Sequence, residues 1–541
     1  MKTTQRIRFR NAVCAAVLLA LGVAGAAIPA QAQTYTDLHD FNSGAGDPFN
    51  FSSNKLAQGQ DGNLYTESIS GGTSGAGTVF KITPTGTPTI VFGFTSTSGF
   101  NPLGGLTAGH DGNFYGDTQQ GGTGGDGTVF KVTPKGVLKV LHNFVNTGEG
   151  PPTNAVVLGV DGKFYGTTDV SSPGATIYSV TAGGVFKTLH TLTAAEGYQG
   201  GQLTQGSDSL LYGGMNLGGL NSQGTAYKMT TAGKLTVLRN FDGTDGSDAA
   251  PGMVQGRDGK FYGVASLGGT SSAGVIYQLT SSGGFNVLHN LNGTTDGSNV
   301  LGLTLGTDGN FYGLTTNGGS GCGTIFEVTT GGVFTVLHNF DNMHGCNSVT
   351  FLTERTDGLL YGLTPNGGAN GEGVFFSLNV GLSPFVSLVT TSGKEGVKIG
   401  MLGQGFSKTS SVVKFGGVAA TKITVTGSTY ILATVPTGAL TGSVTVTTGA
   451  TTLTSTQTFK VLPTVTTFSP PSGPVGTPVM IMGTGLTQTT KVTFGGVAAT
   501  IVTVNNDGEI TANVPTGAKT GKIAVTTDGG SATSKTSFTV N

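Results

Sequence analysis

Short alternations of apolar and polar residues, cut off by glycine-rich turns, fill this chain from residue 34 to its end. A two-residue period is the period of a β-strand with one face buried. The alternations come in a fixed order. An apolar run ends at Asp-Gly, as in "DGNLY" (61–65), "DGNFYG" (111–116) and "DGKFYG" (161–166 and 258–263). A glycine-rich stretch leads to a second run such as "GTVFK" (77–81 and 127–131), and a turn such as "TPKG" (133–136) leads to "VLKVLHNF" (137–144). The tyrosine of the first phrase recurs at 65, 115, 165, 212, 262, 312 and 361, in steps of 50, 50, 47, 50, 50 and 49 residues. Each unit therefore reads as four short antiparallel strands. Asp-Gly is expected to be a two-residue hairpin turn in which both residues take positive φ.

Four strands repeated at this spacing predict the blades of a β-propeller; a β-helix is the alternative, but its coils are usually shorter. The seventh unit ends at "GVFFSLNV" (373–380) without a "VLHNF"-like strand, whereas "TYTDLHDF" (34–41) stands alone before the first unit. Placing 34–41 as the fourth strand of the seventh unit completes every blade and closes the ring, which hides the edges an open array exposes. Residues 381–541 change character. "KFGGVAATKITV" (414–425) is echoed by "TFGGVAATIVTV" (493–504), with Phe415 and Phe494 in matching places. Each copy has the size and alternation of a small Ig-like sandwich. The fold expected is all-β: a seven-bladed β-propeller over 33–380, closed by its N-terminal strand, then two sandwiches over 381–462 and 463–541.

The ordered phrases over roughly 34–380 resemble the GloVer-type tandem repeat of secreted bacterial proteins. That resemblance implies a propeller-like exported protein and no established activity; the C-terminal "SFTVN" departs from anchored members in having no hydrophobic tail or sorting signal. "PPSGPVGTPVMIMGTGL" (470–486), with "FGG" and "VPTG" after it, resembles the IPT/TIG fold. Extracellular domains of that kind serve as spacers and binding modules, often beside carbohydrate-active domains.

The first 32 residues read as a signal peptide. Lys2, Arg6, Arg8 and Arg10 precede an apolar core, and "AQA" (30–32) offers a cleavage site after Ala32. The mature chain is expected to be exported, to the cell surface, the periplasm or the medium, with no membrane span. Only 10% of the 541 residues are charged, Gly numbers 95 and Trp is absent, a composition that suits many strands and tight turns. The net charge of −1, with four basic residues in the leader, leaves −5 for the rest. With no basic tract, nucleic acid is excluded as a partner.

Two cysteines remain after the leader, Cys322 and Cys346, at the same end of the sixth unit's hairpin, so an exported chain is expected to join them. The repeated histidines (39, 142, 190, 289, 338; Arg239 once) fall in different units and are expected to pack, each making one hydrogen bond. Two positions past the tyrosine, adjacent units carry Glu67 and Asp117, a pair that could do acid–base work on a glycoside. Asp242, Asp245 and Asp248 could offer oxygens to Ca²⁺, although their spacing is not that of an EF-hand. The loops after "LHNF" differ strongly between units and carry Glu149, Glu196, Tyr198, Asp245 and Asp296, candidate ligand contacts on a loop-rich face. No zinc spacing, nucleophile elbow or phosphate loop is present, so no cofactor is expected. The function expected is non-enzymatic binding or adhesion, directed at polysaccharide or cell-surface components. The alternative is a glycoside hydrolase or lyase.

Overall fold

The computed structural model describes residues 33–541 apart from 53–54, 146–147, 170–173, 250 and 501. The expected signal peptide, 1–32, lies outside the described residues. Among those described, one 3-10 turn, Ser43–Ala45, is the sole helical element, and no helix is long and apolar enough to cross a membrane. The fold is all-β.

Residues 34–379 form seven antiparallel sheets. Sheets 1 to 6 span 57–93, 107–145, 157–191, 198–240, 253–290 and 298–339. Sheet 7 takes three strands from 353–379, and its fourth is the N-terminal strand Thr34–Asp40, paired with Val374–Asn379. That pairing copies the other sheets in detail. In sheet 1 the pairs Val79–Phe92 and Phe80–Ile90 leave Val91 as an extra residue. Leu141, Leu189, Leu238, Leu288 and Leu337 take the same place in sheets 2 to 6. Leu38 does so in sheet 7, between Asp37 and His39. A bulge of this kind resets which face each later side chain meets. Phe41, Phe94, Phe144, Leu192, Phe241, Leu291 and Phe340, three residues beyond it, are all at most 2% exposed.

The Asp-Gly turn differs from the expected two-residue hairpin. In sheet 1 the Gly59 amide donates to the Asn63 carbonyl at 2.8 Å, which encloses three residues, and Gly62 donates back to Gly59 at 3.0 Å. Gly62 has φ of 80°, while Asp61 keeps an ordinary negative φ. The aspartate is needed for its carboxylate instead. One oxygen accepts the Asn63 amide and the other the Tyr65 hydroxyl at 2.8 Å. The same tyrosine–aspartate bond closes the turn in all seven sheets, at 2.8 to 2.9 Å. Each tyrosine ring faces its neighbour: Tyr65 stacks on Phe114 of sheet 2 and Tyr212 on Phe261 of sheet 5, with ring centres 4.1 and 3.7 Å apart.

Sheet 7 and sheet 1 meet in the same manner as the sheets between them. Phe41, Tyr361 and Phe375 of sheet 7 share a buried cluster with Leu64 and Phe80 of sheet 1. Thr353 donates to the Leu56 carbonyl at 3.2 Å, as Thr107 does to Val156 and Thr304 to Leu352. The Thr356 amide donates to Gln58 at 3.0 Å, as Val160 does to Gln205 and Ser207 to Gln255.

Beyond residue 385 two further pairs of sheets enclose separate cores. One is built on Val386, Ile399, Phe415, Ile431 and Val446, the other on Val479, Phe494, Ile510, Val525 and Phe538. The strands Lys398–Leu402 and Tyr430–Thr434 pair as Pro478–Thr484 and Glu509–Asn513 do, so the two units repeat one β-sandwich plan. The first touches the seven-sheet array: Thr429 donates to the Gln60 carbonyl at 2.8 Å, and Gln404 to the Thr356 hydroxyl at 2.9 Å.

A disulfide joins Cys322 to Cys346 across 24 residues in sheet 6. It ties down the loop whose His344 carbonyl accepts the Tyr35 hydroxyl of the N-terminal strand at 2.7 Å. Cys322→Ser is expected to cost about 3 kcal/mol, the chain-entropy value for a loop of this length. Thermal melts of this variant and of the reduced parent chain check it: both should fall together, and a melt unchanged by reduction would contradict it.

Candidate functional site

The repeated histidine and the variable loop after it prove to be one structure. His39 pairs with Asp47 at 2.8 Å, His142 with Glu149 at 3.1 Å, His190 with Glu196 at 3.0 Å and His289 with Asp296 at 2.9 Å. Where arginine replaces histidine, Arg239 grips Asp245 through two nitrogens. The rings also brace the next sheet. His142 lies flat on Phe186 and His289 on Phe334, at 3.6 and 4.3 Å between ring centres, and Arg239 sits over Phe285. Glu149, Glu196, Asp245 and Asp296, expected as ligand contacts, are therefore internal staples of their own loops. Tyr198 lies apart from them, in the short strand Tyr198–Gly200 at the edge of sheet 4.

The other acidic candidates are likewise buried or engaged by neighbours. Glu67 and Asp117 are fully buried between sheets, with no face toward a saccharide. Glu67 accepts the Gly105 amide at 3.0 Å and lies against Gly116. Burial first, and then the neighbouring Asp117 charge, raises the Glu67 pKa well above the usual carboxylate range; burial does the same to Asp117. Asp242 turns one oxygen back on Thr244 and on the Asp245 amide, and Asp245 is committed to Arg239. Among the described residues no three His, Cys, Asp or Glu side chains gather in one group that could hold a metal ion.

A cavity of about 400 Å³ opens instead at the Asp-Gly end, among the first strands of sheets 4 to 7. Thr204, Met253, Thr304 and Thr353 line it from those strands, and Phe385, Thr456 and Gln457 border it from the first sandwich. One register position supplies three of its walls. Ten residues before the tyrosine the chain has Lys55, Gly105, Ala155, Gln202, Gly252, Gly302 and Phe351. The three large or polar members, Lys55, Gln202 and Phe351, all line this cavity. Gly302 leaves room for Phe351: a Cβ there would come within 2.1 Å of its ring.

Three charged groups face the cavity: Lys55, Arg257 and Glu354. Lys55 lines the cavity with its side chain exposed to solvent. Glu354 accepts the Thr307 amide and hydroxyl at 2.9 and 2.7 Å. Burial outweighs those bonds and pushes its pKa up to about 7. Arg257 donates to the Thr307 carbonyl at 2.5 Å. Pockets of a few hundred Å³ with apolar walls and a few fixed polar groups are the usual form of a small-ligand site.

The family model described as the Gloeobacter/Verrucomicrobia repeat matches residues 27–213 and 198–419, and that of the IPT/TIG domain matches 463–540. No curated protein matches the chain. Among solved structures, a fungal alcohol oxidase of the AA5 family in complex with copper is 14% identical, with a TM-score of 0.43, over 77% of this chain and 98% of its own. A surface glycan-binding protein from Prevotella bryantii is 17% identical, with a TM-score of 0.22, over 27% of this chain and 38% of its own. A surface glycan-binding protein from a xyloglucan utilization locus in Bacteroides uniformis is 20% identical, with a TM-score of 0.16, over 28% and 48%. With every score below 0.5, the functional reading rests on the chain's own residues.

Proposed function

The chain belongs to the Gloeobacter/Verrucomicrobia repeat family and carries an IPT/TIG domain at 463–540, and from that premise we propose an exported saccharide-binding protein that does not turn its ligand over. The seven sheets are the blades of one closed propeller over 33–380, with Thr34–Asp40 as the strand that joins its ends. What supports closure is the recurrence, between sheet 7 and sheet 1, of the bonds that link consecutive sheets. The sandwich at 381–462 repeats the plan of its neighbour and serves with it as a spacer or second binding module. Export rests on the basic and apolar leader with its "AQA" site.

The observation that carries the binding reading is the convergence of Lys55, Gln202 and Phe351 in one cavity, from a register position that is otherwise glycine or alanine. Repetition alone does not require these side chains. Two aromatic rings, Phe351 and Phe385, stand among threonine hydroxyls and glutamine amides, the mixture that suits a sugar ring with apolar faces and a polar rim. Hydrolysis would need a second carboxylate beside Glu354, and the lining holds none.

The test uses the chain from residue 33 on a glycan array, with calorimetry and a reducing-sugar assay on whatever binds. Binding without release of reducing ends is expected, weakened about tenfold by Gln202→Ala or Phe351→Ala. Gln202→Ala should leave the melting temperature in place. Release of reducing ends, or binding indifferent to both substitutions, would overturn the reading.

A further inference from the structure

Resting on that reading, we propose that the saccharide bound in the cavity is acidic, with a carboxylate held by Lys55 and Arg257. The charges on the wall are uneven: two cations stand against one carboxylate. Glu354, which feels the Arg257 charge, offsets them only in part. Both its oxygens are engaged by Thr307, and burial pushes its pKa up to about 7, so it is only partly ionised at neutral pH. Lys55 forms no ion pair or side-chain hydrogen bond recorded among the described residues. It stands exposed at the cavity wall with no counter-charge of its own, so its ammonium is free to meet a ligand carboxylate. Arg257 spends one amino group on the Thr307 carbonyl and keeps further N–H donors, whose planar fork fits a carboxylate.

Both cations break the repeat. Lys55 stands where other units have Gly105, Ala155, Gly252 and Gly302. Arg257, five residues before its tyrosine, stands where they have Gln60, His110, Val160, Ser207, Thr307 and Thr356. The seven-sheet scaffold forms without a cation at either position, so a role in the cavity accounts for them better than a role in the fold. Threonines 204, 304 and 353 and Gln202 then meet hydroxyls, while Phe351 meets a ring face.

The probes are homo-oligomers of galacturonic, mannuronic and glucuronic acid, each beside its carboxyl-reduced counterpart, titrated calorimetrically into the chain from residue 33. At least one acidic oligomer is expected to bind tenfold or more tighter than its reduced form. Lys55→Met and Arg257→Gln should each remove about tenfold of that affinity, and together abolish the preference and its salt dependence. If a reduced oligomer binds as tightly as its acid and Gln202→Ala weakens both, the acidic assignment falls and the saccharide reading stands. If an acid binds but ignores both cation substitutions, the assignment to this cavity falls. If neither these oligomers nor any array glycan binds, both readings fall.

Discussion

A chain beginning at residue 42 is expected to melt well below one beginning at residue 33, by far more than an ordinary terminal trim costs. The strand removed, Thr34–Asp40, pairs along its length with Val374–Asn379, and Phe41 beyond it is fully buried. Phe41 packs on Phe51, in the segment that leads into sheet 1, and on Phe80 of sheet 1, with ring centres 4.5 and 6.3 Å away. Tyr35 lies flat on His338 at 3.9 Å, in the place that Phe186 and Phe334 take beneath His142 and His289. Loss of one buried phenylalanine costs roughly 3–5 kcal/mol. With Tyr35 and a whole strand ladder removed as well, about 5 kcal/mol or more is the expected loss. The exposed edge of Val374–Asn379 should also make the truncated protein self-associate. Denaturant melts and light scattering read both effects. Equal stability of the two chains would refute closure by this strand. Tyr35→Ala provides a milder version that leaves the edge covered.

The strand order of this fold was legible because each phrase carries its own period and punctuation, and the repeat multiplies the signal. "TYTDLHDF" could be placed beside "GVFFSLNV" by counting alone, and Thr34–Asp40 pairs there with the same bulge as every other fourth strand. The turn was misread because Asp-Gly has two uses. The carboxylate of Asp61 bonds the hydroxyl of Tyr65, and that interaction leaves no mark distinct from a hairpin signature. The histidine partners of the loop carboxylates were hidden for a related reason. Glu149 or Asp296 looks free when only its variability is considered, yet each answers a histidine seven residues earlier. The cavity was the hardest to see. Three of its walls come from one register position where four of the seven residues are glycine or alanine, and with three exceptions among seven the position does not stand out in the sequence. Once the sheets are placed, its three exceptions, Lys55, Gln202 and Phe351, line one cavity.

Asp117→Val is expected to stabilise the protein at neutral pH, by about 4 kcal/mol, within the range for a buried polar group that lacks a compensating hydrogen bond. Neither oxygen of Asp117 finds a hydrogen-bond partner among the described residues, and the side chain is fully buried near the Tyr178 hydroxyl, which is also unsatisfied. The matching position in sheet 5 is Val264, itself fully buried, so the scaffold already accommodates valine there. The pH dependence follows from the direction of the shift. Burial raises the folded-state pKa of Asp117 above its unfolded value of about 4. The folded chain then holds its proton while the unfolded chain releases it, so stability falls as pH rises from about 4 and levels off only above the folded pKa. Glu67, shifted in the same direction, adds a slope of the same sign, which the substitution leaves largely in place. Melting curves from pH 4 to pH 9 should therefore show the variant above the parent throughout, with the gap smallest at the acid end and widening as pH rises. A gap that stays constant across that range would mean that the buried carboxyl does not titrate with folding. A gap that narrows as pH rises would mean that Asp117 is held as a paired anion, and the account of this interior would be reversed.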